Sequence, residues 1–129
     1  MSDQEIFNTR IDQLQPTQAY ISQSRLNNVS RHMKFLAQPF PVRLINSKFC
    51  LLEGHERCYL LSSIGESTVN VYIEKEKGPS DQALRELVDY VCKQGILSIG
   101  DLEDRILPPH DFKHLWLEVK KEIIERNQE

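Results

Sequence analysis

Alternation of apolar and polar residues predicts the strands of this chain. Residues 6–14 predict an opening strand, which ends at the proline that soon follows, because proline has no amide hydrogen for a sheet ladder. Residues 41–45 and 49–52 predict two short strands around Asn46-Ser47-Lys48, whose turn-forming side chains favour a hairpin. Residues 69–73 alternate valine and isoleucine with polar side chains, which predicts a half-buried strand.

Apolar residues at spacings of three and four predict the first helix. Leu26, Val29, Met33 and Leu36 form one stripe. Ser22 or Ser24 is suited to cap the amino-terminal end of this helix, because a serine oxygen accepts a hydrogen bond from a free amide of the first turn. Prolines end it, since the residue before a proline is disfavoured in helical geometry.

A second helix is predicted after Arg57, with Gly65 as its C-terminal cap. A third helix is predicted after Ser80, which is suited to cap it, and Gly95 ends this helix. A short helix is expected at about residues 100–107. The last helix is expected to begin near Asp111 and to bury Phe112, Leu115, Trp116, Val119 and Ile123.

These elements predict an α/β protein of the α+β kind, with a small mixed sheet, packed helices and a C-terminal helical extension. Its 129 residues fit one domain. We divide the chain into an α/β core, residues 1–78, and a helical extension, residues 79–129, within that domain.

Composition narrows the function classes. The formal net charge is −3, with acidic and basic residues interspersed, so the basic stripe of a dedicated nucleic-acid binder is missing. DNA binding is therefore not favoured. The three cysteines form no CxxC pair, which disfavours a disulfide framework or thiolate zinc site, and no metal site is predicted. No apolar run approaches the roughly 18 residues that cross a bilayer, and Met1–Glu5 is no secretory signal, so we expect a cytoplasmic protein without membrane contact.

The candidate site is the connection from the second hairpin strand into its helix, Glu53-Gly54-His55-Glu56-Arg57. Gly54 lets the backbone approach a ligand, and the free amides of the next helical turn favour an anion. Arg57 has the geometry to bind phosphate with two donors, and His55 to donate a hydrogen bond or move a proton. Glu53 is suited to hold Mg²⁺ or a hydroxyl group. A plain strand–helix connection with Arg57 paired to Glu53 or Glu56 is the structural alternative.

Three segments resemble the ParB-like N-terminal domain, whose fold is shared with sulfiredoxin and free-serine kinases. Residues 11–22 resemble its opening strand and proline-centred turn, residues 51–58 its DGHxR box entering a helix, and residues 69–73 its next strand. The C-terminal part is similar to that of small stand-alone bacterial ParB-like proteins.

The resemblance implies a nucleotide at the box, such as ATP, ADP or CTP, with Mg²⁺. The positions that match the family's phosphate-binding box are Gly54, His55, Glu56 and Arg57. We take Gly54, His55 and Arg57 as the candidates for cofactor binding, and Glu53, His55 and Glu56 as the candidates for catalysis. Sulfiredoxin has a reactive cysteine between the glycine and histidine of its GCHR motif, whereas His55 follows Gly54 here, which argues against sulfinic-acid reduction.

The serine kinases have a catalytic glutamate in the turn after the opening strand. The matching residue here is Gln18, whose amide is no general base, so the resemblance to these kinases does not carry their catalytic base.

The leading hypothesis is a nucleotide- or phosphate-binding protein, with phosphoryl transfer or nucleotide hydrolysis as the reaction if the protein is an enzyme, because the site offers charge-stabilising groups. The partner would be a nucleotide or phosphorylated small molecule. One alternative is a non-enzymatic regulatory or partner-binding module whose helical tail forms a homodimer. The other is a DNA-associated ParB-like protein or nuclease.

Overall fold

The computed structural model describes residues 5–128, so the expectation about the amino-terminal segment lies almost wholly outside the described residues. The strands of the described chain are β1 (Phe7–Arg10), β2 (Leu14–Gln15), β3 (Ile21–Ser22), β4 (Phe40–Ile45), β5 (Lys48–Leu51), β6 (Thr68–Ile73) and β7 (Ile106–Leu107). The α-helices are α1 (Gln23–Ser30), α2 (His55–Ser63), α3 (Asp81–Lys93), α4 (Pro109–Phe112) and α5 (Glu118–Arg126). None of the described helices has both the length and the apolar character that crossing a bilayer requires.

The larger sheet has the strand order β1-β6-β4-β5-β2, and β3 pairs with β7 in a separate two-stranded sheet. Neighbours in the larger sheet alternate between antiparallel pairing, at β1–β6 and β4–β5, and parallel pairing, at β6–β4 and β5–β2. Strands and helices occur in one mixed architecture, so the predicted α+β class is confirmed.

The prediction of one continuous opening strand over residues 6–14 is wrong, because Ile11–Gln13 form a 3₁₀ turn that interrupts it. The strands before and after this turn, β1 and β2, lie at opposite edges of the larger sheet. Three residues span about 10 Å at most, so the sheet curls until β1 and β2 approach each other. Burial of Ile11 and its amide hydrogen bond to Ser67 O, at 2.9 Å, hold this turn in place.

The first helix is shorter than its apolar stripe predicts. The serine cap is confirmed at Ser22, whose Oγ accepts from Arg25 N at 3.2 Å, but α1 ends at Ser30. The hydroxyl of Ser30 donates to Asn27 O at 2.7 Å, and such local bonds compete with helix continuation. Met33 therefore falls in a separate 3₁₀ turn and is 51% exposed.

The hairpin, α2, β6 and α3 are confirmed, with bounds close to those predicted. Asn46 and Ser47 both have positive φ, as a tight hairpin turn requires, and Ser80 caps α3 by accepting from Ala83 N at 3.1 Å. The short helix predicted at about residues 100–107 is wrong. Residues 100–107 form the end of a 3₁₀ turn (Ile99–Leu102) and β7, because Ile106 pairs with Ile21 of β3.

The last helix contains a π-helical segment, Lys113–Leu117, between α4 and α5. Its i→i+5 hydrogen bonding widens the turn and shifts the buried stripe. Phe112, Trp116 and Ile123 are buried as predicted, whereas Leu115 is 48% exposed. One hydrophobic cluster unites side chains of the predicted core and the predicted extension, including Leu14, Ile21, Val71, Leu87, Val91, Ile99, Phe112 and Trp116.

Candidate functional site

The turn between β5 and α2 requires a glycine. Gly54 is the N-cap residue of α2, with φ 87° and ψ 22°, a left-handed conformation that side-chain-bearing residues avoid. A Cβ atom built on Gly54 would lie 3.0 Å from Cδ2 and 3.1 Å from Cε2 of Phe40. The glycine thus satisfies two local demands, the backbone conformation and close packing against β4.

His55 is the first residue of α2 and is buried, with 2% exposure. Its Nε2 accepts a hydrogen bond from Thr17 N at 3.0 Å, so the neutral ring carries its proton on Nδ1. Burial, and then the positive charge of Lys120, lower the pKa of His55 to about 3. The side chain is therefore a neutral imidazole over the physiological pH range.

The Nδ1 atom of His55 has no hydrogen-bond partner within residues 5–128, although it is buried. Covalent geometry places Nδ1 on the backbone side of the ring, and His55 is the first residue of α2. An unmet buried donor costs about 1–3 kcal/mol.

Glu56 is also buried and holds the chain before α1 against α2. Its Oε2 accepts from Gln18 Nε2 at 2.7 Å and from Ser22 N at 3.0 Å. Gln18 Nε2 donates in addition to Tyr20 O at 2.8 Å. Thr17 joins the same arrangement through its hydroxyl, which donates to Leu51 O at 2.6 Å. The proline-centred turn is thereby fixed to the first turn of α2.

Arg57 has one engaged edge and one free edge. Its Nη1 donates to the carbonyl oxygens of Phe35, Leu36 and Gln38, at 3.4, 3.2 and 2.9 Å. The guanidinium carbon lies 3.9 Å from the centroid of the Phe40 ring. Within the described chain, Nε and Nη2 donate to no acceptor, and these two atoms form the side-on fork that matches a carboxylate or phosphate.

The free edge of Arg57 lies at the glycine turn. Its Nη2 is 3.3 Å from the position that a Cβ on Gly54 would occupy. Burial lowers the pKa of Arg57, and Cys58, Glu53 and Tyr72 partly oppose the shift. Because the group starts from 12.5, the guanidinium remains a cation at neutral pH.

The first-turn amides of α2 complete the arrangement. The first hydrogen bond of the helix runs from Cys58 N to Gly54 O at 2.9 Å, and the amides of His55, Glu56 and Arg57 find no acceptor among residues 5–128. By contrast, serine hydroxyls cap α1 and α3. Free amides and the positive end of the helix dipole favour an anion.

Lys120 of α5 contributes a cation that the sequence did not indicate. Burial and then Arg25 lower the pKa of Lys120, while Glu53 and Glu56 oppose the shift. The ammonium group forms no ion pair or hydrogen bond with the residues that the structure describes. Nothing in the local sequence around Lys120 points to α2, because the two lie far apart along the chain.

The structure thus brings together residues that the sequence analysis named and residues that it missed. Glu53 is exposed and makes no hydrogen bond or ion pair within residues 5–128. Of the two acidic residues predicted for the site, Glu53 faces solvent and Glu56 is buried. Thr17, Phe40 and Lys120 were missed, and Gln18 was noted only through the family resemblance. The roles predicted for Glu53, Gly54, His55, Glu56 and Arg57 stay predictions.

Cys58 adjoins the site but offers no thiolate chemistry. Cys58 is buried one residue after Arg57, and burial raises its pKa to about 12, so the group is a thiol without thiolate character. Among residues 5–128 no group of three histidine, cysteine or acidic side chains is placed to hold a metal.

Comparison with known proteins adds little at the level of sequence. No family model and no curated protein matches the chain. The structure is similar to the crystal structure of protein Atu1540 from Agrobacterium tumefaciens, with 17% sequence identity and a TM-score of 0.48. The match covers 75% of this chain and 52% of Atu1540, so this chain spans about half the length of that protein. A likeness this distant supports no functional argument.

Proposed function

We propose that this protein binds a phosphate-bearing small molecule or nucleotide, with a phosphate group at the amino-terminal end of α2. The observation that carries this proposal is the free Nε–Nη2 edge of Arg57, which lies against Gly54 while Nη1 is held by three carbonyl oxygens. An arginine fixed on one edge keeps the fork oriented before the ligand arrives, which reduces the entropy lost on binding.

The surrounding groups favour the same class of ligand. The free amides of the first turn of α2 supply three hydrogen-bond donors at the same helix end. Lys120 adds positive charge near Glu56 and His55. Donors and cations of this kind stabilise a phosphate more than a neutral ligand.

Mg²⁺ fits the proposal through Glu53. A magnesium ion bound with nucleotide phosphates needs only one or two protein carboxylates, and the exposed carboxylate of Glu53 precedes the glycine turn by one residue. When bound, the ion would neutralise phosphate charge. Glu53 would hold it, while Gly54 and Arg57 would position the phosphate itself.

Binding is better supported than acid–base catalysis. The Nε2 atom of His55 and the Oε2 atom of Glu56 already receive hydrogen bonds from Thr17, Gln18 and Ser22. These contacts stabilise the site and leave Glu53 as the exposed carboxylate with both oxygens free. Phosphoryl transfer and nucleotide hydrolysis stay predictions that depend on Glu53.

Isothermal titration calorimetry tests the proposal with inorganic phosphate, ATP, ADP and CTP, each with and without Mg²⁺. Wild-type protein is expected to bind at least one of these ligands, and Arg57→Lys is expected to weaken that binding roughly tenfold, because lysine keeps the charge but lacks the fork. Arg31→Lys is the matched control, since Arg31 is exposed and forms no side-chain hydrogen bond with the described residues.

Two outcomes would contradict the proposal. One is that none of the four ligands binds to the folded wild-type protein. The other is that Arg57→Lys, shown by circular dichroism to be folded, binds as tightly as Arg31→Lys.

We also propose that the protein acts in the cytoplasm. Cys50, Cys58 and Cys92 are free thiols, as is usual in a reducing compartment. Fractionation of cells that express the tagged full chain tests this location, and recovery in a membrane or extracellular fraction would contradict it.

A further inference from the structure

A small pocket adjoins the proposed phosphate site on the Glu53 side. It has a volume of about 220 Å³ and is lined by Pro41, Leu52, Glu53, Tyr72, Glu74, Lys77, Gly78 and Pro79. The lining combines the apolar side chains of Pro41, Leu52 and Pro79 with carboxylate, phenol and ammonium groups. Polar groups that converge in a concave site can orient a ligand.

A buried arginine, Arg43, holds in place the segment Glu74–Pro79 that forms one wall of this pocket. Arg43 is 6% exposed and donates from Nε to Glu74 O at 3.0 Å, from Nη2 to Lys77 O at 2.8 Å, and from Nη1 to Pro79 O. Glu74 Oε2 accepts from the amide of Lys77 at 3.3 Å. The segment that carries the wall therefore has a defined conformation without a ligand.

Two polar side chains in the pocket have unused hydrogen-bonding capacity. The carboxylate of Glu53 and the hydroxyl of Tyr72 form no hydrogen bond with other residues of the described chain. Burial raises the pKa of Tyr72, with further contributions from Glu53 and Glu74, so the phenol remains protonated and able to donate at neutral pH. A carboxylate that accepts and a phenol that donates and accepts together suit hydroxyl groups.

The pocket lies beside the phosphate site. Glu53 lines the pocket and precedes Gly54 in sequence, and consecutive Cα atoms lie about 3.8 Å apart. Phe40 lies against both Gly54 and Arg57, and its chain neighbour Pro41 lines the pocket. A ligand whose phosphate lies at Gly54 would therefore have its adjoining carbon atoms at the pocket entrance.

We infer that the Glu53–Tyr72 pocket binds the hydroxyl-bearing carbon skeleton of a sugar phosphate, either free or as the ribose phosphate part of a nucleotide. This inference rests on the proposed phosphate site and names the class of its ligand. The volume argues for a group of pentose size, because pockets for larger ligands measure roughly 300–1,000 Å³. A nucleotide base would lie outside the pocket, so adenine and cytosine nucleotides would bind alike.

Titration calorimetry on the full chain separates the two parts of the ligand. The probes are inorganic phosphate, ribose, ribose 5-phosphate, AMP and CMP. Ribose 5-phosphate is expected to bind roughly tenfold more tightly than inorganic phosphate, as one or two added hydrogen bonds to a charged group predict. The Kd values of AMP and CMP are expected to differ by less than about threefold, which is less than the effect of one hydrogen bond on affinity.

Variants test which residues supply the difference. Glu53→Gln and Tyr72→Phe each are expected to reduce the ratio of the phosphate Kd to the ribose 5-phosphate Kd, to roughly threefold or less. Glu103→Gln is the matched control, because Glu103 is exposed and does not line the pocket. The control is expected to keep the wild-type ratio.

The possible failures can be told apart. If inorganic phosphate binds but ribose 5-phosphate binds no more tightly, this inference is wrong and the phosphate site stands. The inference is also wrong if both variants keep the wild-type ratio. If AMP binds far more tightly than both CMP and ribose 5-phosphate, the base and not the sugar is recognised. If neither phosphate nor any of its esters binds, the phosphate site and the sugar pocket are both wrong.

Discussion

Gln18 Nε2 donates a hydrogen bond to Glu56 Oε2 across 2.7 Å, although 38 positions separate the two residues in sequence. Each side chain is only 6% exposed. The bond joins the turn after β2 to the first turn of α2, and Ser22 N donates to the same oxygen at 3.0 Å. The geometry of the candidate site therefore depends on a buried polar contact between two distant segments.

A double-mutant cycle measures this contact. Gln18→Ala, Glu56→Ala and the double variant are expected to show a coupling of about 1.5–3 kcal/mol in the free energy of unfolding, because one partner is a carboxylate in a buried position. Urea unfolding monitored by Trp116 fluorescence is the measurement. The control pair is Gln23–Asn27, whose 2.9 Å hydrogen bond is exposed on α1 and is expected to couple by about 0.5 kcal/mol or less. Equal coupling in the two pairs would refute the prediction.

Acid is expected to destabilise the protein through His55. Its pKa is about 3 in the folded chain and 6.5 as a model value, so the unfolded state binds more protons between these limits. The free energy of unfolding then falls as pH decreases below about 6.5, by up to roughly 1.4 kcal/mol per pH unit, and no effect is expected above it.

The variant His55→Gln isolates this effect, because glutamine offers an acceptor near the position of Nε2 and does not titrate. Urea unfolding at pH 7.5 and pH 5 is compared for both proteins. Wild type is expected to lose up to about 2 kcal/mol more than the variant over this interval. Parallel pH profiles for the two proteins would show that His55 is not the group responsible.

Replacement of Gly54 is expected to cost more than replacement of a comparable glycine. Gly54→Ala places a side chain at φ 87° and a Cβ 3.0 Å from Phe40, whereas Gly95, at φ 84°, has no atom within 4 Å of its Cβ position. Strain alone costs about 1–2 kcal/mol at either site. Crowding is expected to add about 1–3 kcal/mol at Gly54 only.

Thermal and urea unfolding of Gly54→Ala and Gly95→Ala provide the comparison. Equal losses of stability would mean that the ring of Phe40 moves aside without cost. In that case close packing at the glycine turn would not restrict the site.

Loss of the Arg43 guanidinium is expected to release the pocket wall. Arg43→Met leaves the carbonyl oxygens of Glu74, Lys77 and Pro79 without their donor, which is expected to lower the free energy of unfolding by about 3 kcal/mol. Arg85→Met, at an exposed position of α3, is expected to change it by less than about 0.5 kcal/mol.

Hydrogen exchange gives a local readout for the same pair of variants. Amides of residues 74–80 are expected to exchange faster in Arg43→Met than in Arg85→Met. Unchanged exchange in this segment would show that the wall does not depend on Arg43.

Local sequence determined the elements that depend on local physics. The hairpin around Asn46 and Ser47, the caps at Ser22 and Ser80, and the glycine turn before α2 were all predicted correctly. Turn conformations and helix ends are set by backbone sterics and by hydrogen bonds within a few residues, so their causes are visible in the sequence.

Only the tertiary structure decided which segments meet. The pairing of β3 with β7 joins Ile21 to Ile106, and neither two-residue strand has a periodicity that could be recognised. In the same way, the sequence determined that Glu53-Gly54-His55-Glu56-Arg57 forms a strand–glycine–helix turn, but not what each side chain contacts. Packing placed Nη1 of Arg57 on distant carbonyl oxygens and left its other edge free. Such partners are selected by the folded chain as a whole, because contacts between remote segments depend on how the core closes.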